Sequence, residues 1–116
     1  MVADGTEEEP ILFTRTEEQP GWWDGLYVRE SDNLNNQPNW AIVEYAGGED
    51  YFRRGSGNVV VGRGRTDPSA IDITNTTLRH SDGHGLWVHE DNGTVNDDAC
   101  DVNTFEDNGG EDCVIN

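Results

Sequence analysis

The sequence predicts an all-β fold, organised as a parallel β-solenoid of about four coils. Three observations predict it. Apolar residues come in bursts of three to five bounded by Gly, Asn and Asp, and helical periodicity is almost absent. A segment near the end of the chain repeats an earlier one, without a gap, at an offset of 27 residues. Gly and Asn recur between the bursts, where a chain that turns sharply needs positive φ.

The bursts, in order, are Ile11-Leu12-Phe13, Leu26-Tyr27-Val28, Ala41-Ile42-Val43-Glu44-Tyr45, Val59-Val60-Val61, Ile71-Asp72-Ile73, Leu86-Trp87-Val88 and Cys113-Val114-Ile115. Each is rich in β-branched or aromatic residues, which suit a pleated, half-buried surface. Alternation is clear at Ile71 and Ile73, which share one face, with Asp72 and Thr74 on the other. Seven short strands with turn signals between them would ordinarily suggest a sandwich or barrel.

The repeat points to a solenoid instead. The segment from Thr77 to Val88 aligns with that from Thr104 to Ile115. Apolar residues meet at Leu78/Phe105, Leu86/Cys113, Trp87/Val114 and Val88/Ile115, and Gly83 meets Gly110. A looser copy begins at Val43, offset by 35 from Leu78. A coil of two or three short strands and their turns has this length. It cannot bury its own apolar face, so coils stack and share a core. Asn75, Asn103 and Asn108 fall at expected corners, where stacked asparagines can hydrogen-bond up the ladder.

Composition bounds the environment. The chain of 116 residues is one domain, 1–116. It carries 24 acidic and 7 basic side chains, a net charge of −17, and only 33% hydrophobic residues. Those numbers resemble a disordered chain, but four tryptophans and the β-branched bursts argue for a core. All seven basic residues are arginine. An acidic surface without lysine suits high salt, where a Debye length of ~3 Å screens carboxylate repulsion. No basic patch exists to neutralise phosphates, which excludes a nucleic-acid partner. No apolar run approaches the ~20 residues of a membrane span, which excludes membrane insertion. The first residues lack the charged and apolar regions of a signal peptide.

Several segments together resemble bacterial and archaeal right-handed parallel β-helix repeat proteins. They are Ala3-Asp4-Gly5-Thr6 with Pro10-Ile11-Leu12-Phe13-Thr14, then Trp23-Asp24-Gly25-Leu26, Val43-Glu44-Tyr45-Ala46-Gly47, and Asn75 through Leu86. The resemblance implies a right-handed β-helix from an exported surface protein, in the extracellular space or cell envelope. It also implies a chain truncated at one or both ends, since Cys113-Val114-Ile115 lacks a polar cap. The wider superfamily includes pectate lyases, polygalacturonases and copper-chaperone-like periplasmic proteins, so fold alone does not decide function.

The leading expectation is a non-enzymatic scaffold or interaction module, with polysaccharide or other surface proteins as partners. The alternative is a polysaccharide lyase or glycoside hydrolase. Gly83-His84-Gly85 and Asp97-Asp98-Ala99-Cys100 resemble hydrolase elements, but in reversed order, and the Gly-His-Gly reads better as a tight corner. A lyase needs an arginine or lysine base, for which Arg29, Arg53, Arg54, Arg63, Arg65 and Arg79 are available. Alternation with inward Leu86 and Val88 turns Trp87 and His89 outward. With Trp22 they could stack on sugar rings, and Arg79 in the best-defined coil could assist. No cofactor is required, although Asp91, Asp97, Asp98 and Asp101 offer hard oxygens for Ca2+. Cys113 aligns with Leu86, and Cys100 with Ile73, so both are expected to point inward, as a disulfide or as buried thiols. Asn75-Thr76-Thr77 and Asn92-Gly93-Thr94 are glycosylation sequons in an exported chain.

Overall fold

The apolar bursts are strands, and every pairing between them is parallel. The computed structural model describes residues 2–15, 18–28, 37–48, 56–62, 68–89 and 91–115. Within them lie β1 (Val2–Asp4), β2 (Ile11–Phe13), β3 (Leu26–Val28), β4 (Gln37–Asn39), β5 (Ala41–Glu44) and β6 (Gly57–Val61). These are followed by β7 (Ser69–Ile71), β8 (Thr77–Arg79), β9 (His84–Val88), β10 (Gly93–Val95), α1 (Ala99–Val102), β11 (Thr104–Glu106) and β12 (Cys113–Ile115). No described helix is long and apolar enough to cross a membrane.

Two four-stranded sheets dominate. The first runs β2-β5-β8-β11 and the second β3-β6-β9-β12. Each passage from the first sheet to the second adds one strand to both, in chain order; we call such a passage a rung. Two smaller sheets, β1-β4 and β7-β10, lie alongside, and a bridge from Asn39 to Thr74 extends the former. The register reproduces the sequence alignment pair by pair: Phe105 lies opposite Leu78, Cys113 opposite Leu86, Val114 opposite Trp87 and Ile115 opposite Val88. The looser offset of 35 is also a register, with Val43 opposite Leu78.

This register aligns like side chains in columns. Phe13, Val43, Leu78 and Phe105 form one column, and Leu26, Val59, Leu86 and Cys113 another. The middle members, Val43, Val59, Leu78 and Leu86, have no exposed surface. The outer members are half-buried and pack against them. Strands ~4.8 Å apart bring each branched side chain into contact with the one above and below.

The corners repeat as well. Trp40 and Asn75 have φ of 52° and 49°, and Tyr45, His80 and Asp107 have φ of 62°, 55° and 50°. Their spacings, 35 and then 27, are those of the repeat. Gly47 (φ 83°) needs glycine twice over, because a Cβ there would sit 2.6 Å from the amide nitrogen of Gly83 in the next rung.

Asparagines bind these corners, mostly in a way the expected ladder did not describe. Asn108 accepts from the Ser81 N–H and donates to the Leu78 carbonyl. Asn103 accepts from the Thr76 N–H and donates to the carbonyls of Ile73 and Ala99. Asn58 does the same for Ala46 and Arg79. An amide with one acceptor and two donors can replace a missing peptide partner across a bend. Among the described residues only Asn75 makes a true ladder: its amide donates to Asn39 Oδ1, and Asn39 donates to Asp4.

The expected strand at Ile71-Asp72-Ile73 is shifted towards Ser69. Ile73 is buried as predicted, but its N–H donates to Asn96 Oδ1 and its carbonyl accepts from Asn96 and Asn103. Side chains have taken its ladder bonds. Gly83-His84-Gly85 also differs from expectation. It enters β9 rather than forming the corner, which falls at His80. Its glycines are required by proximity, since a Cβ on Gly83 would collide with the Ser56 carbonyl.

Leu78→Ala should cost about 2–5 kcal/mol, because neighbours on both sides hold the cavity open. Asn103→Ala should cost about 1–3 kcal/mol by stranding buried peptide groups. Leu12→Ala, at a half-exposed position, should stay within about 0.5 kcal/mol. Urea unfolding of the three variants checks this ranking.

Candidate functional site

Strand alternation turns Glu44, Arg79 and Glu106 to the face opposite Val43, Leu78 and Phe105, and register places Arg79 between the two glutamates. Arg79 Nε lies 2.6 Å from Glu44 Oε2. Thr14 Oγ1 donates to the other Glu44 oxygen at 3.0 Å, and Trp23 Nε1 donates to the Glu44 carbonyl at 2.7 Å. Glu44 is only 7% exposed, so this pairing satisfies a buried charge. Arg79, expected to assist a ligand, is thus committed to its own neighbour.

At the adjacent corner Tyr45 stacks on His80, with ring centroids 5.1 Å apart and planes 15° apart. His80 Nδ1 lies 3.9 Å from Asp107 Oδ2. The Tyr45 phenol is pushed above its ordinary range by desolvation, then by the charges of Glu18 and Glu44, with Arg79 opposing.

The expectation that Trp87 and His89 face solvent is corrected. They do lie opposite Leu86 and Val88, but that face is covered, and they are 5% and 3% exposed. Their rings lie 4.2 Å apart, and Trp87 is also 5.8 Å from His84. His84 Nδ1 accepts the Glu111 N–H at 2.9 Å, joining β9 to the final rung. Trp22 is 44% exposed and open to solvent.

Asp91, Asp97, Asp98 and Asp101 are all exposed. Asp98 accepts from Asn96, and no group of three or more His, Cys, Asp or Glu among the described residues could hold a metal ion. The expected calcium ligands are therefore not brought together. In α1, Ala99 takes the buried position, which leaves Cys100 and Asp101 on the solvent side. That also corrects the inward placement of Cys100. Cys100 and Cys113 form a disulfide with Cα atoms 5.8 Å apart, tying α1 to β12. Arg29, Arg53, Arg54, Arg63 and Arg65 lie outside the described residues.

A concave feature lies elsewhere, at the corner of the first sheet. An open groove of about 270 Å³ is lined by Trp40, Asn75, Ile42, Thr77, Thr104 and Glu7, among others. Ile42, Thr77 and Thr104 are one register column, and Trp40 and Asn75 are the left-handed corner column beside it. Sequence reading missed Trp40. Its one signal is position: it stands 35 residues before Asn75, where the corner favours a small polar residue.

Comparison with protein-family models, curated proteins and solved structures finds no match to this chain.

Arg79→Met should destabilise by about 1–3 kcal/mol, because it removes the partner of the buried Glu44 carboxylate. Adding Glu44→Gln should recover part of that loss, measurable by urea unfolding. The raised Tyr45 pKa stabilises the fold below the ordinary tyrosine value near 10. That contribution is lost as pH rises through the raised value. Tyr45→Phe should therefore flatten the alkaline fall in Tm above pH ~10.

Proposed function

We propose that this chain is a non-enzymatic scaffold and interaction module, built as a right-handed parallel β-helix of four rungs and working at a cell surface or in the secreted space. Polysaccharide is its partner. The observation that carries the reading is the in-register repetition of the two main sheets, rung upon rung, with the same residue classes in each column. Such a body offers a regular surface built for contact. The site chemistry supports the same reading. Arg79 is held by Glu44, and His84 accepts a backbone hydrogen bond through Nδ1.

The environment we propose is one of high salt. Every described acidic residue except Asp24, Asp72 and Glu44 is exposed, so the charge lies on the surface, where ions can screen it. Raising NaCl from 0.1 M towards 3 M should raise the Tm progressively, with the steepest gain below 1 M as the Debye length falls from ~10 to ~3 Å. A Tm indifferent to salt would remove the halophile reading. Incubation with pectate or alginate should release no unsaturated or reducing ends, and turnover of either would replace the scaffold with a polysaccharide-degrading enzyme.

A further inference from the structure

We infer that the groove beside Trp40 binds one ring unit of a neutral, hydroxyl-rich glycan chain. The inference rests on the proposed polysaccharide partner and names where and what the chain grips. The starting point is a local conflict. Trp40 holds φ of 52° at a corner whose next member, Asn75, holds 49°. Asparagine adopts that conformation readily, and a bulky indole does not. Strained residues persist where they have a use, and Trp40 is among the residues that line the groove.

The lining matches a sugar. A pyranose ring has an apolar C–H face and a rim of hydroxyls. Trp40 and Ile42 supply apolar surface, while Asn75, Thr77, Thr104 and Glu7 supply donors and acceptors around it. The volume, about 270 Å³, lies just below the ~300–1,000 Å³ of drug-sized sites and leaves room for a single ring rather than a large ligand. The groove is open, and its column continues through register to Leu12, which is 52% exposed. A polymer can therefore leave the groove across the rungs.

Charge selects among glycans. Glu7 is the one charged residue among the described residues lining the groove. Molar salt leaves only ~3 Å unscreened, so the repulsion that counts is at contact: a carboxylate or sulfate seated beside Glu7 meets it, while a neutral sugar does not. The site is also preformed. The Trp40 carbonyl accepts the Ile11 N–H at 3.0 Å, and the Asn75 amide is oriented by its bond to Asn39. That bond uses one Asn75 donor and leaves its Oδ1 and second N–H available to a ligand.

The test uses the full chain in molar NaCl, with cellohexaose, maltohexaose, mannohexaose and polygalacturonate as probes, read by calorimetry and tryptophan fluorescence. At least one neutral hexasaccharide should bind, and polygalacturonate should not. Trp40→Asn should weaken binding at least tenfold while leaving the Tm unchanged or higher, because asparagine suits the corner. Thr77→Val, which keeps shape and fold, should weaken binding several-fold. Binding that survives both variants but is lost in Trp22→Ala would overturn the groove and leave the polysaccharide reading standing. Binding of polygalacturonate alone would overturn the neutral class. Failure of every probe would overturn both the groove and the polysaccharide partner. A lowered Tm in Trp40→Asn would remove the strain argument.

Discussion

Everything in this molecule depends on parallel strands stacking in register. The strands are three to five residues long and cannot bury an apolar face alone. Val43 is covered because Phe13 lies on one side and Leu78 on the other. Leu86 is covered by Val59 and Cys113. A one-residue slip would turn each column towards the opposite face, so the pattern of inward residues and the register enforce one another. The low apolar content is sufficient because the same few positions are used in every rung.

Register then dictates the corners. If strands stack, the bends between them stack too, and left-handed residues recur at Tyr45, His80 and Asp107 and at Trp40 and Asn75. Each bend breaks the regular ladder and frees peptide groups inside the fold. Asn58, Asn103 and Asn108 supply the missing partners, spanning two backbone groups at Asn58 and Asn108 and three at Asn103. A buried asparagine here does the work of a peptide bond, which keeps the interior satisfied where the chain turns.

The sequence disclosed the columns and hid the covers. Offsets of 27 and 35 predicted the pairs Leu78/Phe105, Leu86/Cys113 and Val43/Leu78, because apolar recurrence is a direct record of stacking. Strands such as Gln37–Asn39 and Gly93–Val95 left no trace, since they are polar or contain Pro and Gly and owe their conformation to a neighbouring rung. Alternation rightly turned Trp87 and His89 away from Leu86, but direction says nothing about what lies over that face. The short helix was equally hidden: Asp98 stands at its start and Asp101 within it, and no periodicity announces four residues of helix. Trp40 was passed over because strain at a corner is invisible until φ is known.

Charge and architecture meet in the contrast between Glu44 and the other acids. Glu44 is buried and held by Arg79, Thr14 and the strand beneath it. The exposed acids lie along strands, corners and loops, and several are neighbours in sequence: Glu106 beside Asp107, Glu111 beside Asp112. Their repulsion follows from composition, and the fold leaves it on the surface. Screening by salt relieves it at the surface and weakens the Glu44–Arg79 pair less, since the Glu44 side chain is buried while that of Arg79 is 33% exposed. The acidic surface also filters ligands. In salt that filter works only at contact, where Glu7 opposes an anion in the groove and leaves shape and hydrogen bonding to choose among neutral molecules.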